Sequence, residues 1–399
     1  MKILGLFLLA CSLLYGAKAA KVVNVGEKFA ESKNCKACHL HLVQDWQKSW
    51  HAKSHFKKDE YFQKSIEYYS KKTRKSLNGV KVECATCHNP RISVTSTGMD
   101  YEIEAVLGLD KGSKVNKALD DDHLQEGINC VVCHNIDKIH SDRDQSYRGI
   151  NRITWTPSGV MSGPFDDAKS PYHKVEYRDF MGGNSNKLCF VCHANDKSHR
   201  KLVFTNMEKE FKSGGKKCVD CHMGPKREGV ASTLRIENGK AKKRMIRSHG
   251  FKGAHYEDMI KDSLELTTWQ KDDDIVIMLE NPQPHNIPSG MGARELLIEL
   301  EYKNGSKIIK KDLVSLTTHY KDRKKKPTIP HLAKTMSKDM SVPAQGQKVI
   351  KVKREKAARS VQVSVYYRLV NDEVRGLLDL KDEIWSKKMP IASKRLKLK

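Results

Sequence analysis

The amino-acid sequence predicts two domains of different class: an α-rich, loop-heavy domain, followed by an all-β domain with the plan of an immunoglobulin-like sandwich. Two observations lead to this prediction. Five copies of the pattern C-x-x-C-H lie between residues 35 and 222, separated by helical stretches and irregular segments. After residue 260 the pattern changes to short runs of β-branched and apolar residues, separated by turn-forming segments.

Residues 1–19 have the layout of a secretory signal peptide. Lys2 precedes an apolar run over residues 3–15, and Ala17-Lys18-Ala19 supplies the small residues of a cleavage site. The run is too short to remain as a membrane-spanning helix, and no later stretch is apolar enough to serve as a transmembrane anchor. We therefore expect an exported, periplasmic chain that begins near Ala20. A second interpretation takes "LLAC" as a lipoprotein signal with Cys11 as the lipidated residue.

The composition is strongly basic and lean in apolar residues. Lys and Arg number 73 against 48 Asp and Glu, which gives a net charge of +25, and the hydrophobic fraction is 38%. The charge favours anionic partners such as acidic proteins, phospholipid surfaces or small oxyanions, and export argues against nucleic acid. The basic clusters at 240–247 and 321–327 are candidate docking surfaces, with solvated loops as the simpler interpretation of the second. The small apolar fraction indicates that something other than side chains fills part of the interior.

Ten of the 11 cysteines belong to the five C-x-x-C-H motifs. Disulfides, redox pairs or zinc half-sites could use these cysteines, but none of them explains a histidine after the second cysteine of every copy. C-x-x-C-H is the attachment signature of c-type haem, in which both thiols form thioethers and the imidazole binds the iron. The sequence therefore predicts five covalently bound haem c groups. Their attachment residues are Cys35, Cys38, Cys84, Cys87, Cys130, Cys133, Cys189, Cys192, Cys218 and Cys221.

The motif histidines are the expected proximal iron ligands, and they are closely spaced along the chain. They are His39, His88, His134, His193 and His222. The intervals leave too few residues to give each haem its own core, so we expect the haems to pack together and to supply apolar volume themselves. Residues 20–258 are therefore predicted to form a pentahaem, α-rich domain that needs its cofactors to fold.

Twelve of the 17 histidines remain as candidates for the sixth position of the irons. A second histidine keeps the reduction potential of a haem low, whereas methionine raises it. The stretch "HLVQDWQKSWHAKSHF" reads as a helix with His51 and His55 on one face, where they cannot both bind the same iron. Further candidates are His140, six residues after His134; His173, ahead of the fourth motif; His249 and His255, after the fifth; and His285, in "NPQPHNIPSG".

From about residue 33 to the C-terminus the chain resembles the cytochrome c-554-like multihaem cytochromes, some of which carry an appended β-domain. The resemblance is carried by "CKACHLHLVQDWQKSWHA", "CHNIDKIH", "CVDCHMGP" followed by "RSHGFKGAH", and "HNIPSGMGARELLIELEY". It implies that His51, His140 and His285 are distal iron ligands. It also matches His249 to the motif that precedes the β-domain, and it places His173 more loosely.

Six β-type runs follow residue 260, among them "DIVIMLEN", "ELLIELEYK" and "SVQVSVYYRLV". They predict a β-sandwich domain over residues 259–370. The tail, residues 371–399, is predicted to begin as a helix and to end in a basic segment. If His285 binds an iron, a metal bond joins the sandwich to the haem domain.

The leading hypothesis is an electron carrier rather than an enzyme: a periplasmic pentahaem cytochrome with mostly bis-histidine haems, serving anaerobic respiration. Its expected partners are acidic redox proteins, either other cytochromes or a quinol-oxidising membrane complex. One alternative is a reductase or oxidase of a small nitrogen or sulfur oxyanion, acting at a five-coordinate haem. Another is a haem-bearing scaffold whose sandwich binds a partner. No motif ends in lysine, the C-x-x-C-K variation found in some multihaem reductases.

Overall fold

The structure, a computed structural model, describes residues 21–22, 31–141, 148–157 and 159–399. The predicted signal peptide and Cys11 lie outside these residues. The chain divides into two compact units, each built from two stretches of sequence. Unit 1 comprises Met1–Val191 and Pro225–Phe251, and unit 2 comprises Cys192–Gly224 and Lys252–Lys399.

The helices are short, and the longest in the described part of the chain has 14 residues. Among the residues that the structure describes, none of the helices combines the length and the apolar character needed to cross a bilayer. The helices are α1 Ser32–Lys36, α2 Leu40–Gln47, α3 Glu60–Thr73, α4 Leu77–His88, α5 Met99–Val106, α6 Lys114–Leu119, α7 Cys130–His134, α8 Asn186–His193, α9 Met207–Glu210, α10 Cys218–His222, α11 Glu257–Ile260 and α12 Asp372–Leu378.

The strands form small ribbons in the first half of the chain and two larger sheets in the second half. They are β1 Lys21–Val22, β2 Val94–Ser96, β3 Ile136–Ile139, β4 Ile153–Trp155, β5 Val160–Gly163, β6 Lys174–Tyr177, β7 Asn195–Lys197, β8 Val203–Asn206, β9 Arg227–Val230, β10 Ile236–Glu237, β11 Lys240–Ala241, β12 Lys243–Ile246, β13 Glu265–Lys271, β14 Asp274–Asn281, β15 Glu295–Asn304, β16 Lys307–Thr317, β17 Tyr320–Lys321, β18 Thr335–Met336, β19 Gly346–Lys353, β20 Ser360–Arg368 and β21 Met389–Lys397.

In unit 1, α3 and α4 begin at side-chain caps and carry much of the core. Asp59 accepts a hydrogen bond from Phe62 N at 3.0 Å, and Ser76 Oγ accepts one from Gly79 N at 3.0 Å. These caps satisfy backbone N–H groups that the first turn of a helix leaves without intrahelical partners. The helices then bury an apolar cluster that includes Phe62, Ile66, Val80, Val82 and Ile92. Cys84 packs against this cluster, so the second motif is fixed by the core.

Unit 2 contains two antiparallel sheets, with strand orders β13-β14-β19 and β16-β15-β20-β21. Along β14, β15 and β20, alternate side chains are fully buried, because successive residues of a strand point to opposite faces. The fully buried residues are Ile275, Ile277, Leu279, Leu296, Ile298, Leu300, Val361, Val363 and Val365. Helix α12 follows β20 with Asn371 as its cap, and β21 then returns to the four-stranded sheet.

The predicted fold class, an α-rich domain followed by an all-β immunoglobulin-like sandwich, is wrong. The structure is about 30% helix and 29% strand, with many small sheets. The motif helices are short because strands follow them closely: β3 begins two residues after α7, and β7 begins two residues after α8. β7 is polar and β3 has only two apolar residues, at its ends, so both lack the apolar alternation that marks a strand in sequence. Unit 2, which contains the two larger sheets, also contains α9 to α12.

Candidate functional site

Each C-x-x-C-H motif lies on a short helix or on the turn that ends one. Helices α4, α7, α8 and α10 all end at the motif histidine. In the first motif, His39 N donates to Cys35 O at 2.9 Å, which continues the turn of α1. Helical spacing brings residues i, i+3 and i+4 to one face, so the two thiols and the imidazole of a motif point to the same side.

Three of the motif histidines face a second histidine at nearly the same distance. The ring centroids of His134 and His249 are 6.4 Å apart with an interplanar angle of 16°. Those of His222 and His285 are 6.2 Å apart at 24°. The His39 ring lies 6.5 Å from that of His173, at 36°. The structure therefore brings three of the five predicted distal histidines, His173, His249 and His285, to motif histidines far away in sequence.

A separation of this size leaves room for one metal ion between the two rings. With bonds of about 2 Å, the length of metal–imidazole bonds in proteins, two imidazoles on opposite sides of one metal place their ring centroids about 6.3 Å apart. Rings in direct stacking contact lie closer, as Phe62 and His88 do at 4.1 Å. In the part of the chain that the structure describes, no group of three or more His, Cys, Asp or Glu side chains could hold a metal. Each pair could therefore hold a metal ion only together with a group that brings further ligands of its own.

Backbone carbonyls fix the orientation of these imidazoles. His39 Nδ1 lies 2.6 Å from Ala231 O, His134 Nδ1 lies 2.7 Å from Ser162 O, and His222 Nδ1 lies 2.5 Å from Lys252 O. A carbonyl only accepts, so each Nδ1 carries the proton and Nε2 keeps its lone pair. This is the arrangement in which metal-binding histidines donate their other ring N–H to an outer acceptor.

Two of the three facing histidines, His249 and His285, show the same arrangement. His249 Nδ1 donates to Arg247 O at 3.2 Å, and His285 Nδ1 donates to Asn286 O at 2.8 Å. Burial lowers the pKa of His134 to about 4 and lowers the pKa values of His193, His249 and His285 from the usual range. These imidazoles are neutral at pH 7, which is the protonation state that a metal ligand requires.

The second motif has different surroundings. Ser54 Oγ donates to His88 O at 3.4 Å and lies 3.1 Å from His88 Nδ1, from which it accepts. Phe62 stacks on the His88 ring at an interplanar angle of 16°. The sequence did not predict these neighbours, nor the carbonyls of Ala231, Ser162 and Lys252. A backbone carbonyl has no residue-type signature in a sequence.

His51 and His140, also predicted as distal ligands, are placed differently. His51 begins a one-turn 3-10 helix, and its ring centroid lies 4.6 Å from that of Phe251. His140 Nε2 lies 2.8 Å from Oγ1 of Thr154, a residue of β4. That hydrogen bond uses the nitrogen that the other sites direct at the facing ring, so iron binding by His140 would need a different rotamer. Both assignments stay predictions.

In the described residues, the ten motif cysteines are not joined as disulfides. Burial raises the pKa of Cys84 and of Cys133 to about 12, which disfavours the thiolate form that zinc binding needs. Cys35, of the first motif, lies beside Cys130, of the third, and this proximity raises the pKa of Cys35. The first and third motifs therefore lie side by side in unit 1.

No protein-family model matches the sequence, and no curated protein matches it. Among solved structures, the chain is similar to a penta-heme cytochrome c552 from Thermochromatium tepidum, with a TM-score of 0.68 at 20% identity, covering 94% of this chain and 100% of that one. This likeness shows a shared fold. A match to a superoxide reductase in the oxidized state has a TM-score of 0.16 at 8% identity, covers 35% of this chain and 89% of that one, and carries no argument.

Proposed function

We propose that the chain is a multihaem c-type cytochrome that transfers electrons. Its five C-x-x-C-H motifs would hold five haem c groups, with thioether bonds to the ten motif cysteines and the motif histidines as proximal ligands. When bound, each haem supplies one iron that alternates between the ferric and ferrous states. The shared fold with a penta-heme cytochrome c552 supports this proposal.

The observation that carries the proposal is the set of facing histidine pairs. Separations of 6.2, 6.4 and 6.5 Å match two axial bonds to one iron, and each pair contains one histidine of a C-x-x-C-H motif. We infer bis-histidine ligation for the first, third and fifth haems, through His173, His249 and His285. Two imidazoles hold the potential of an iron low, because neither ligand favours the ferrous state as a thioether does.

The chain also keeps redox sites close together within each unit. In unit 1, His39 and His173 lie close enough to His134 to lower its pKa, and Cys35 lies beside Cys130. In unit 2, His222 lies close enough to His193 and His285 to lower the pKa of each. Electron passage requires neighbouring centres, and this proximity supports passage between the first and third haems and between the fourth and fifth.

The finer assignments extend the same proposal. We place the protein in the periplasm as a respiratory electron carrier of the cytochrome c-554-like type, because C-x-x-C-H haems are attached to exported chains and because residues 1–19 read as a signal peptide. Its net charge of +25 favours acidic redox partners, whose binding weakens as salt screens the charges.

Intact-mass analysis and EPR of the purified protein test the proposal. We expect the mass of the chain plus five covalent haems, and Cys35→Ser/Cys38→Ser should remove one haem. EPR of the oxidised protein should be dominated by low-spin ferric haem. A folded protein without covalent haem would refute the proposal altogether. A high-spin signal that nitrite, hydroxylamine or sulfite removes would refute a pure carrier and favour a reductase or oxidase.

A further inference from the structure

Residues 226–247 form a β-hairpin in unit 1 with an excursion on one side. Strand β9 pairs with β12, and farther along β10 pairs with β11. The five residues 231–235 separate β9 from β10, whereas Lys242 alone separates β11 from β12. The extra residues therefore leave the ribbon, while Lys242 N still donates to Arg235 O at 2.6 Å and joins its two sides. We call residues 226–247 the basic hairpin.

The excursion of the basic hairpin contacts the first C-x-x-C-H motif. His39 Nδ1 donates to Ala231 O at 2.6 Å, and Thr233 N donates to Cys38 O at 3.0 Å. One contact orients the proximal imidazole, and the other holds the backbone beside it. A protein that docks onto the hairpin would therefore lie next to the site of the first haem.

The basic hairpin keeps its excess of positive charge when the adjoining segments are counted. The hairpin itself has eight basic and two acidic residues. Asp167, from another segment of unit 1, pairs with Arg235 and Arg244. Asp166 is next to it in the sequence, and Asp45 lies at the end of the hairpin, where it accepts a hydrogen bond from Ser248. Eight basic residues thus stand against five acidic ones.

Three basic side chains of the hairpin are available to an anionic partner. Lys226, Arg227 and Lys240 are exposed, and they form no ion pair with any residue that the structure describes. Both glutamates of the hairpin, in contrast, are paired with hairpin lysines, at 3.3 and 3.5 Å. The charge that remains unpaired on this surface is therefore positive.

Exposed apolar side chains lie among these charges. Ile236, Met245 and Leu234 are 60%, 53% and 44% exposed. Met245 and the arginines of the hairpin belong to the residue types that are enriched in protein interfaces. Apolar groups within a positively charged surface favour an acidic protein, which can cover the former and pair with the latter.

We propose that the basic hairpin is the docking surface for an acidic electron-transfer protein, which exchanges electrons with the first haem. This inference rests on the proposed function, because docking beside His39 has a use only if an iron is bound there. Opposite charge steers the partner to the hairpin and orients it, and the exposed apolar side chains are then removed from water.

Binding of an acidic plant-type ferredoxin to the full-length, cofactor-loaded protein tests this inference. Isothermal titration calorimetry with oxidised ferredoxin measures binding without electron transfer. Lys226→Glu/Arg227→Glu/Lys240→Glu should weaken binding at least about thirtyfold at low salt, and by less as salt screens the charges. Ile236→Ser/Met245→Ser should weaken binding about tenfold and leave its dependence on salt unchanged, because no charge is altered.

Arg323→Glu/Lys324→Glu/Lys326→Glu is the matched control for charge. These side chains are exposed, and their substitution changes the net charge by the same amount. The control should bind ferredoxin within about threefold of the wild type, since only long-range attraction is reduced. The proposal is overturned if the wild type does not bind ferredoxin, or if the two triple variants weaken binding equally. It is also overturned if the hairpin variant binds ferredoxin normally but loses binding to phosphatidylglycerol vesicles, since the hairpin would then dock onto lipid.

Stopped-flow mixing with reduced ferredoxin separates a failure of docking from a failure of the proposed function. Each reduced cluster gives one electron and each ferric iron takes up one. The hairpin variant should be reduced by ferredoxin at least about tenfold more slowly than the control, whereas dithionite should reduce every variant within about twofold of the wild-type rate. If dithionite reduces all variants and ferredoxin reduces the hairpin variant as fast as the control, the docking inference alone fails. If dithionite reduces none of them, the proposed function fails as well.

Discussion

Replacing His249 with alanine tests whether it shares an iron with His134. The two rings lie 6.4 Å apart and almost parallel, and both Nδ1 atoms donate to carbonyl oxygens. Without the His249 imidazole, the third haem would keep a single strong protein ligand. Ferric haem with one axial imidazole is high-spin, so one haem should change its spin state and the low-spin EPR intensity should fall by the share of one haem.

The structural cost of this substitution should be small. The His249 side chain makes one hydrogen bond, to a carbonyl two residues away, and losing such a bond costs about 1 kcal/mol. The variant should therefore fold and bind all five haems. EPR and optical spectra of the oxidised protein would be recorded before and after addition of free imidazole, which should occupy the vacated position and restore the low-spin signal.

His140→Ala is the matched control. Its Nε2 is already hydrogen-bonded to Thr154 Oγ1 at 2.8 Å, so its removal should leave the spin state of every haem unchanged. If His249→Ala gives the wild-type spectrum, the inferred pairing with His134 is wrong. If His140→Ala instead produces the high-spin signal, the resemblance to the cytochrome c-554-like family predicted that ligand better than the hydrogen bond did.

Three further changes probe stability and assembly. Arg368→Ala should destabilise unit 2 by about 4 kcal/mol in thermal unfolding, because it leaves the Glu295 carboxylate buried without its cation. Burial raises the pKa of Glu210 from 4.5 to about 7. The folded wild type therefore loses stability as the pH rises from 4.5 towards 7. Glu210→Gln should remove this pH dependence. At pH 8 its free energy of unfolding, measured by denaturant titration, should exceed that of the wild type by on the order of 2 kcal/mol. Gly149→Ala should lower the haem content by about one haem of five, because its Cβ would collide with the backbone beside Cys87.

The Arg368 and Gly149 predictions each have a matched control variant. Lys353→Ala removes an exposed ion pair with Asp274 and should cost less than about 1 kcal/mol. Gly305→Ala changes a glycine with φ of +63° and open space around it, so haem content should stay complete. If Arg368→Ala and Lys353→Ala lower the free energy of unfolding by the same amount, the argument from burial is contradicted. Equal slopes of stability against pH in the wild type and in Glu210→Gln would contradict the argument from titration.

The sequence carries different signals for the site and for the fold. The C-x-x-C-H motifs are local, so their spacing alone placed His134 beside its cysteines on one helical face. The resemblance to a family supplied His249 and His285, which the structure brings to motif histidines. The α-rich prediction failed because strands such as β3 and β7 are only four and three residues long and show no alternation of apolar and polar residues. A period of two in hydrophobicity appears only where one face of a strand is buried, as in β20.

The first and third motif histidines contact residues that come much later in the sequence than the motifs themselves. The His39 imidazole depends on the Ala231 carbonyl, 192 residues later, and faces His173. His134 faces His249, which also follows the fifth motif. A chain ending soon after His222 would carry all five motifs, yet its first and third sites would lack a carbonyl acceptor or a facing imidazole. Haem attachment at the cysteines can follow the local motif. The orientation of these histidines, however, requires the segment Pro225–Phe251 to pack against the rest of unit 1.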